Sequence, residues 1–136
     1  MTVRGAKLSL SIGWLIAVGP LIIVLVLRQL NGFFGSDLKE VWNWFSQFVL
    51  PGLTLLGGAW TVSGSPNDQK EVDNKPVFWV AVALSGFYLI LLYLVVASQV
   101  GTAQPVNQLK DSGLFLGIFQ ALVIGVLGKF FIESGR

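Results

Sequence analysis

The sequence contains neither cysteine nor histidine among its 136 residues. Without cysteine it can form no disulfide, no thiolate metal site and no cysteine nucleophile. Without histidine it lacks the commonest side-chain ligand of zinc and the usual axial ligand of haem. We therefore predict that the chain binds no metal and no cofactor.

Charged side chains are also scarce. They make up 12% of the residues, whereas 54% are hydrophobic and the mean hydropathy is +0.73. A soluble domain carries about a quarter of its residues as charged groups. The nine basic and seven acidic residues form no basic stripe, so nucleic acid is not an expected partner. The partner that this composition predicts is the lipid bilayer.

The apolar residues are collected into four long runs with polar connections between them. The runs cover residues 8–28, 41–62, 77–97 and 113–132. Each has about 20 residues, enough at 1.5 Å per residue to cross a hydrocarbon core about 30 Å thick. Short connections favour antiparallel neighbours. We predict an all-α membrane protein, one domain over residues 1–136, with four transmembrane helices in an antiparallel bundle.

The basic residues that flank these runs predict the orientation in the membrane. Six lie on one side and three on the other. The larger set is Arg4, Lys7, Lys70, Lys75, Lys129 and Arg136, and the smaller is Arg28, Lys39 and Lys110. Because cytoplasmic loops are enriched in lysine and arginine, both termini are predicted to be cytoplasmic. The predicted location is the inner (cytoplasmic) membrane of a bacterium, as a multi-pass protein.

Polar residues follow one face of the second run. Asn43, Gln47, Leu50, Thr54 and Thr61 recur at intervals of three, four or seven residues, so they share one helical face. Leu50 is the large apolar residue among them. One interpretation is a pore lining in which Leu50 forms a narrow apolar girdle. The other is hydrogen bonding between helices, at about 0.6–2 kcal/mol per contact.

Two prolines fall near the middle of predicted helices. Pro51 cannot donate to the carbonyl of Gln47, and Pro20 likewise leaves the carbonyl of Ile16 without its usual donor. Such positions kink helices. The pair predicts either a hinge for gating or kinks of the kind that membrane helices commonly tolerate.

The fourth run has a small residue at every fourth position. These are Gly113, Gly117, Ala121 and Gly125, and Gln120 lies beside them. A ladder of this kind lets another helix backbone approach closely, while an amide can bond across the contact. The ladder predicts helix packing, either within the chain or between copies.

Ionisable groups are confined to the ends and connections of the predicted helices. Proton relays and ion-coupled transporters need such groups at membrane depth. Catalysis by a nucleophile needs a base within reach of it. We therefore expect neither an enzyme nor a coupled transporter.

Two classes of function remain. The first is a homo-oligomeric pore, or a membrane effector, lined by the second helix. Several copies are required because four helices leave little interior volume for a conducting path. The second is a non-catalytic accessory or structural subunit that docks to a larger membrane complex or to a cytoplasmic partner.

Overall fold

The computed structural model describes residues 2–61 and 75–133, with the backbone alone at 59–61 and 133. Within these ranges turns connect five helices, which are α1 (Val3–Leu30), α2 (Leu38–Phe48), α3 (Leu50–Thr61), α4 (Lys75–Ser98) and α5 (Pro105–Glu133). Three of them, α1, α4 and α5, are long and apolar enough to cross a membrane. The predicted all-helical class and these three candidate spans are confirmed. The predicted helix 41–62 is represented by two shorter helices, α2 and α3, and residue 62 lies outside the described ranges.

Helices α1 and α5 begin five and eight residues before their apolar runs, the largest such differences. Helix α1 starts at Val3, where the Thr2 hydroxyl accepts a hydrogen bond from the Gly5 amide at 3.2 Å. This bond satisfies one of the amides left open at a helix start. Helix α5 starts at Pro105, eight residues before the predicted residue 113. Proline suits a first helical position because its missing amide proton would be unpaired there.

Aromatic contacts fix the direction of α5 relative to α4. Phe78, near the start of α4, packs against Phe130, near the end of α5, with ring centroids 5.7 Å apart. Further along, Phe87 and Phe119 meet edge to face at 5.2 Å. The two helices therefore run in opposite directions along a shared contact.

A buried amide joins the ends of α1 and α4. Arg28 Nη1 donates to the Val96 carbonyl at 2.7 Å and to Gln99 Oε1 at 2.8 Å. Gln99 is fully buried, and the Arg28 guanidinium also lies over the Phe33 ring at 5.2 Å. A buried polar group is stable when it is hydrogen-bonded. Helices α1 and α4 therefore end together and run in the same direction.

The outer surface of the helices is strongly apolar. Ile16 on α1, Leu94 on α4 and Leu114 on α5 are 69%, 59% and 84% exposed. Monomeric soluble proteins rarely expose continuous apolar surfaces of this extent. Hydrocarbon is the solvent in which such a surface is stable, as expected for helices that cross a bilayer.

Candidate functional site

The helix is interrupted at Val49, between α2 and α3. Pro51 has no amide proton, so it cannot donate to the Gln47 carbonyl. Ordinary helical bonds resume on either side, since the Val49 amide donates to Phe45 at 2.9 Å and the Leu53 amide donates to Val49 at 3.3 Å. The interruption is thus local, and it lies beside Pro51, for which the sequence predicts either a hinge or a tolerated kink.

Side chains from two neighbouring helices bond the carbonyls at the interruption. Gln120 Nε2 of α5 donates to the Gln47 carbonyl at 2.7 Å. The Tyr88 hydroxyl of α4 donates to the Phe48 carbonyl, also at 2.7 Å, and Tyr88 is buried. A carbonyl buried without a donor is costly, so these two bonds lower the cost of interrupting the helix. They also tie the interruption to α4 and α5.

The second tyrosine, Tyr93, forms a hydrogen bond near Pro20, the other mid-helix proline. Helix α1 continues through Pro20 without a break, and the Tyr93 hydroxyl donates to the Ala17 carbonyl. Ala17 precedes Pro20 by three residues, just as Phe48 precedes Pro51. Both tyrosines of the chain therefore bond to a backbone carbonyl three residues before a proline. The sequence alone does not show which carbonyls these hydroxyls reach.

The indole ring of Trp14 packs directly against Gly52, in the first turn after the interruption. A Cβ atom placed at Gly52 would lie 2.6 Å from the Trp14 ring, and Trp14 is only 2% exposed. A Cβ cannot occupy that position unless the ring or the backbone moves. Gly52 therefore allows α1 and α3 to pack closely at this level.

The polar face of α2 and α3 points away from the interior of the chain. Its described members, Asn43, Gln47, Leu50 and Thr54, are all exposed, Leu50 by 40%. Thr61 is the last residue of α3, and its side chain lies outside the described residues. The four described side chains of the predicted face therefore share this exposure. Within a single chain, this face is therefore on the outer surface of the described residues.

A groove of about 290 Å³ separates this face from α5. Asn43 and Gln47 line one wall, while Gly113 lies on the opposite wall. At the rim, Lys110 Nζ lies 3.7 Å from Glu40 Oε2, and both side chains are about half exposed. The polar face of α2 therefore adjoins the start of the small-residue ladder.

The rungs of the ladder differ in what they contact. Gly113 is half-buried, and a Cβ there would lie 3.3 Å from the Phe48 ring. A Cβ at Gly117 or Gly125 would meet nothing within 4 Å, and Ala121 and Gly125 are exposed. Among the three glycines of the ladder, only Gly113 would bring a Cβ close to another described side chain. The later rungs leave space for another backbone.

No known protein family, curated protein or solved structure matches this chain. Its class therefore rests on its own architecture. The three long apolar helices α1, α4 and α5 are compatible with a multi-pass membrane protein. Across residues 2–61 and 75–133, no group of three acidic side chains is placed to hold a metal ion.

Proposed function

We propose that the chain is a four-span protein of the bacterial cytoplasmic membrane that assembles as a homo-oligomer and forms a pore or acts as a membrane effector. In this proposal α2 and α3 together make the fourth span of an antiparallel bundle. Residues 38–61 would extend about 36 Å at 1.5 Å per residue, more than the hydrocarbon thickness of about 30 Å. Their exposed face would line the axis shared by the copies.

The observation that carries this proposal is the outward exposure of Asn43, Gln47 and Thr54. Placing amide side chains against hydrocarbon is unfavourable. Water along a shared axis, or polar groups of another copy, would remove that cost. The exposed rungs Ala121 and Gly125 support close approach of a second copy, because small residues let helix backbones pack tightly in membranes.

The helix interruption supports placing the narrowest point of the proposed pore at Leu50. Leu50 immediately precedes Pro51 and is exposed on the same side as Gln47. Discontinuous helices commonly form solute sites in membrane transporters. A ring of Leu50 side chains, one from each copy, would make an apolar constriction that closes by losing water. Tyr88 and Gln120 would hold the backbone at this level through the bonds described above.

Polar contacts and basic residues at one end of the helices support an orientation in which both termini are cytoplasmic. Trp42 Nε1 donates to Gln29 Oε1 at 3.0 Å, and the Glu40–Lys110 pair lies at the same end of α2. Indole groups bonded in this way are typical of a membrane interface. The smaller basic set lies at this end, which favours cytoplasmic termini at the opposite one.

Ion flux into liposomes tests the pore directly. Leu50→Ser should raise flux because a hydroxyl lets water wet the constriction, and Gln47→Leu should lower flux because it makes the face more apolar. Leu94→Ser is a matched control, since Leu94 is 59% exposed on α4, a helix that carries none of the polar face. It should leave flux at the level of the unmodified protein.

The alternative is an accessory or structural subunit without catalytic activity. The exposed rungs Ala121 and Gly125 would also accept a helix of a different membrane protein. This alternative expects a monomer in mild detergent and flux at the level of empty vesicles for every variant. Either result would contradict the pore.

A further inference from the structure

A second cavity lies between α1 and α4 and shares no residue with the polar face. Its volume is about 470 Å³. Apolar and aromatic side chains dominate the walls. The lining includes Trp14, Phe78, Trp79, Ser85 and Gly86. A volume of this size lies within the range of small-molecule sites, which are concave and mostly apolar with a few polar groups.

Two buried hydrogen-bond donors of this cavity have no partner among the described residues. They are Trp14 Nε1 and Ser85 Oγ. The two side chains are 2% and 3% exposed, so bulk water does not bond them. Burying a donor without an acceptor is costly. Both atoms are themselves covered by protein, so an acceptor oxygen on a molecule inside the cavity would complete their hydrogen bonding only after the cavity wall moves aside.

The depth of Ser85 excludes the oxygens of ordinary phospholipids as that acceptor. Ser85 is ten residues beyond Lys75, the first residue of α4, which corresponds to about 15 Å along the helix. This depth is near the middle of a hydrocarbon core about 30 Å thick, whereas the ester carbonyls of lipids lie at its edges. The acceptor must therefore be carried by a molecule that itself dissolves in hydrocarbon.

We propose that this cavity binds a flat, membrane-soluble carbonyl compound of the quinone class, held by hydrogen bonds from Ser85 and Trp14 to its carbonyl oxygens. Trp79 is 65% exposed and can contact a planar ring, which gains from stacked or edge-to-face contacts. Trp14 and Phe78 also line the cavity but are almost fully buried. The proposal is one of binding alone, and it does not depend on whether the protein conducts ions.

Two probes of nearly equal shape separate hydrogen bonding from simple partition into lipid. Menadione carries two carbonyl oxygens on a methylated naphthalene ring, and 2-methylnaphthalene has the ring without the carbonyls. Binding is measured by equilibrium dialysis against phosphatidylcholine nanodiscs that contain the protein, with protein-free nanodiscs as the blank. We expect menadione to bind at least about fivefold more tightly than 2-methylnaphthalene, the effect of one net hydrogen bond.

Two serine variants test whether the tighter binding of menadione arises in this cavity. Ser85→Ala should weaken menadione binding about fivefold and leave 2-methylnaphthalene unchanged. Ser11→Ala is the matched control, because Ser11 is also buried with an unpartnered hydroxyl, yet it lines a different groove with Leu53 and Leu56. It should change neither probe.

A glycine substitution tests the space itself. A Cβ at Gly86 would meet nothing within 4 Å, so Gly86→Leu should fill the cavity and abolish binding of both probes without unfolding the chain. Gly128→Leu places the same side chain at an equally open glycine of α5 and should leave binding intact. The proposal is overturned if menadione binds no better than 2-methylnaphthalene, if Ser85→Ala has no effect, or if Gly86→Leu still binds both.

Discussion

Replacing Tyr88 by phenylalanine removes one hydroxyl group and keeps the aromatic ring. Tyr88 is 1% exposed, and its hydroxyl donates to the Phe48 carbonyl at 2.7 Å beside the helix interruption. An unsatisfied buried polar group costs about 1–3 kcal/mol. Hydrogen bonds measured within membrane proteins average about 0.6 kcal/mol and reach about 1.7. We expect Tyr88→Phe to lower the free energy of unfolding by about 1–2 kcal/mol.

Tyr93→Phe provides the matched comparison. The Tyr93 hydroxyl also donates to a backbone carbonyl, that of Ala17. Ala17 lies within α1, which is continuous there, so a backbone amide of the next turn is available to its carbonyl. The loss of free energy should therefore be smaller, at most about 0.6 kcal/mol.

The assay is reversible unfolding in mixed micelles by increasing mole fractions of dodecyl sulfate, followed by circular dichroism. The difference between the two variants is the informative quantity, because both lose the same chemical group. If Tyr93→Phe is as destabilising as Tyr88→Phe, or if neither changes the unfolding midpoint, the hydroxyl of Tyr88 does not stabilise the interruption.

Three further outcomes follow from individual contacts. Gly52→Ala should destabilise the fold by about 1–3 kcal/mol, as overpacked cores do, because its Cβ would overlap the Trp14 ring; unfolding in mixed micelles measures this. Arg28→Met should cost about 2 kcal/mol in the same assay, since charged hydrogen bonds contribute about 1.5–3 kcal/mol and Gln99 would lose its donor. Ala121→Leu should reduce the number of copies found by light scattering in mild detergent, because a large side chain blocks close helix approach.

Each of these variants has a control at a comparable position. A Cβ at Gly57 meets nothing within 4 Å, so Gly57→Ala should not destabilise α3. The Glu40–Lys110 pair is exposed, and Lys110→Met should change stability by less than about 1 kcal/mol. Gly19 is equally open on α1, and Gly19→Leu should leave the number of copies unchanged. Equal effects in a variant and its control would contradict the corresponding contact.

Hydropathy and covalent geometry predict the main features of this fold. Long apolar runs predict α1, α4 and α5 because a helix that crosses hydrocarbon must be apolar over most of its length. The missing amide of Pro51 predicts that the Gln47 carbonyl needs another donor. The sequence does not predict that the helix divides there, since that depends on Trp14, Tyr88 and Gln120, which come from other helices.

The spacing of residues defines a face but not its direction. Asn43, Gln47 and Thr54 share one side of a helix on periodicity alone, and only the packing of the neighbouring helices shows that this side is exposed. The start of α5 was missed for a related reason. Lys110 and Asp111 lie just before the apolar run, so hydropathy places the start of the helix at residue 113. Leu109 is nevertheless buried, and two amphipathic turns extend the helix back to Pro105.

Water access to the polar face tests the central claim most directly. The chain has no cysteine, so a single cysteine can be introduced at Thr54 and, as the control, at Ile16, which is 69% exposed on α1. A charged thiol reagent reacts with the thiolate, a form that hydrocarbon disfavours. In liposomes, Thr54→Cys should react when the pore is open, whereas Ile16→Cys should not. Equally slow reaction of both cysteines would contradict a water-filled axis lined by α2 and α3.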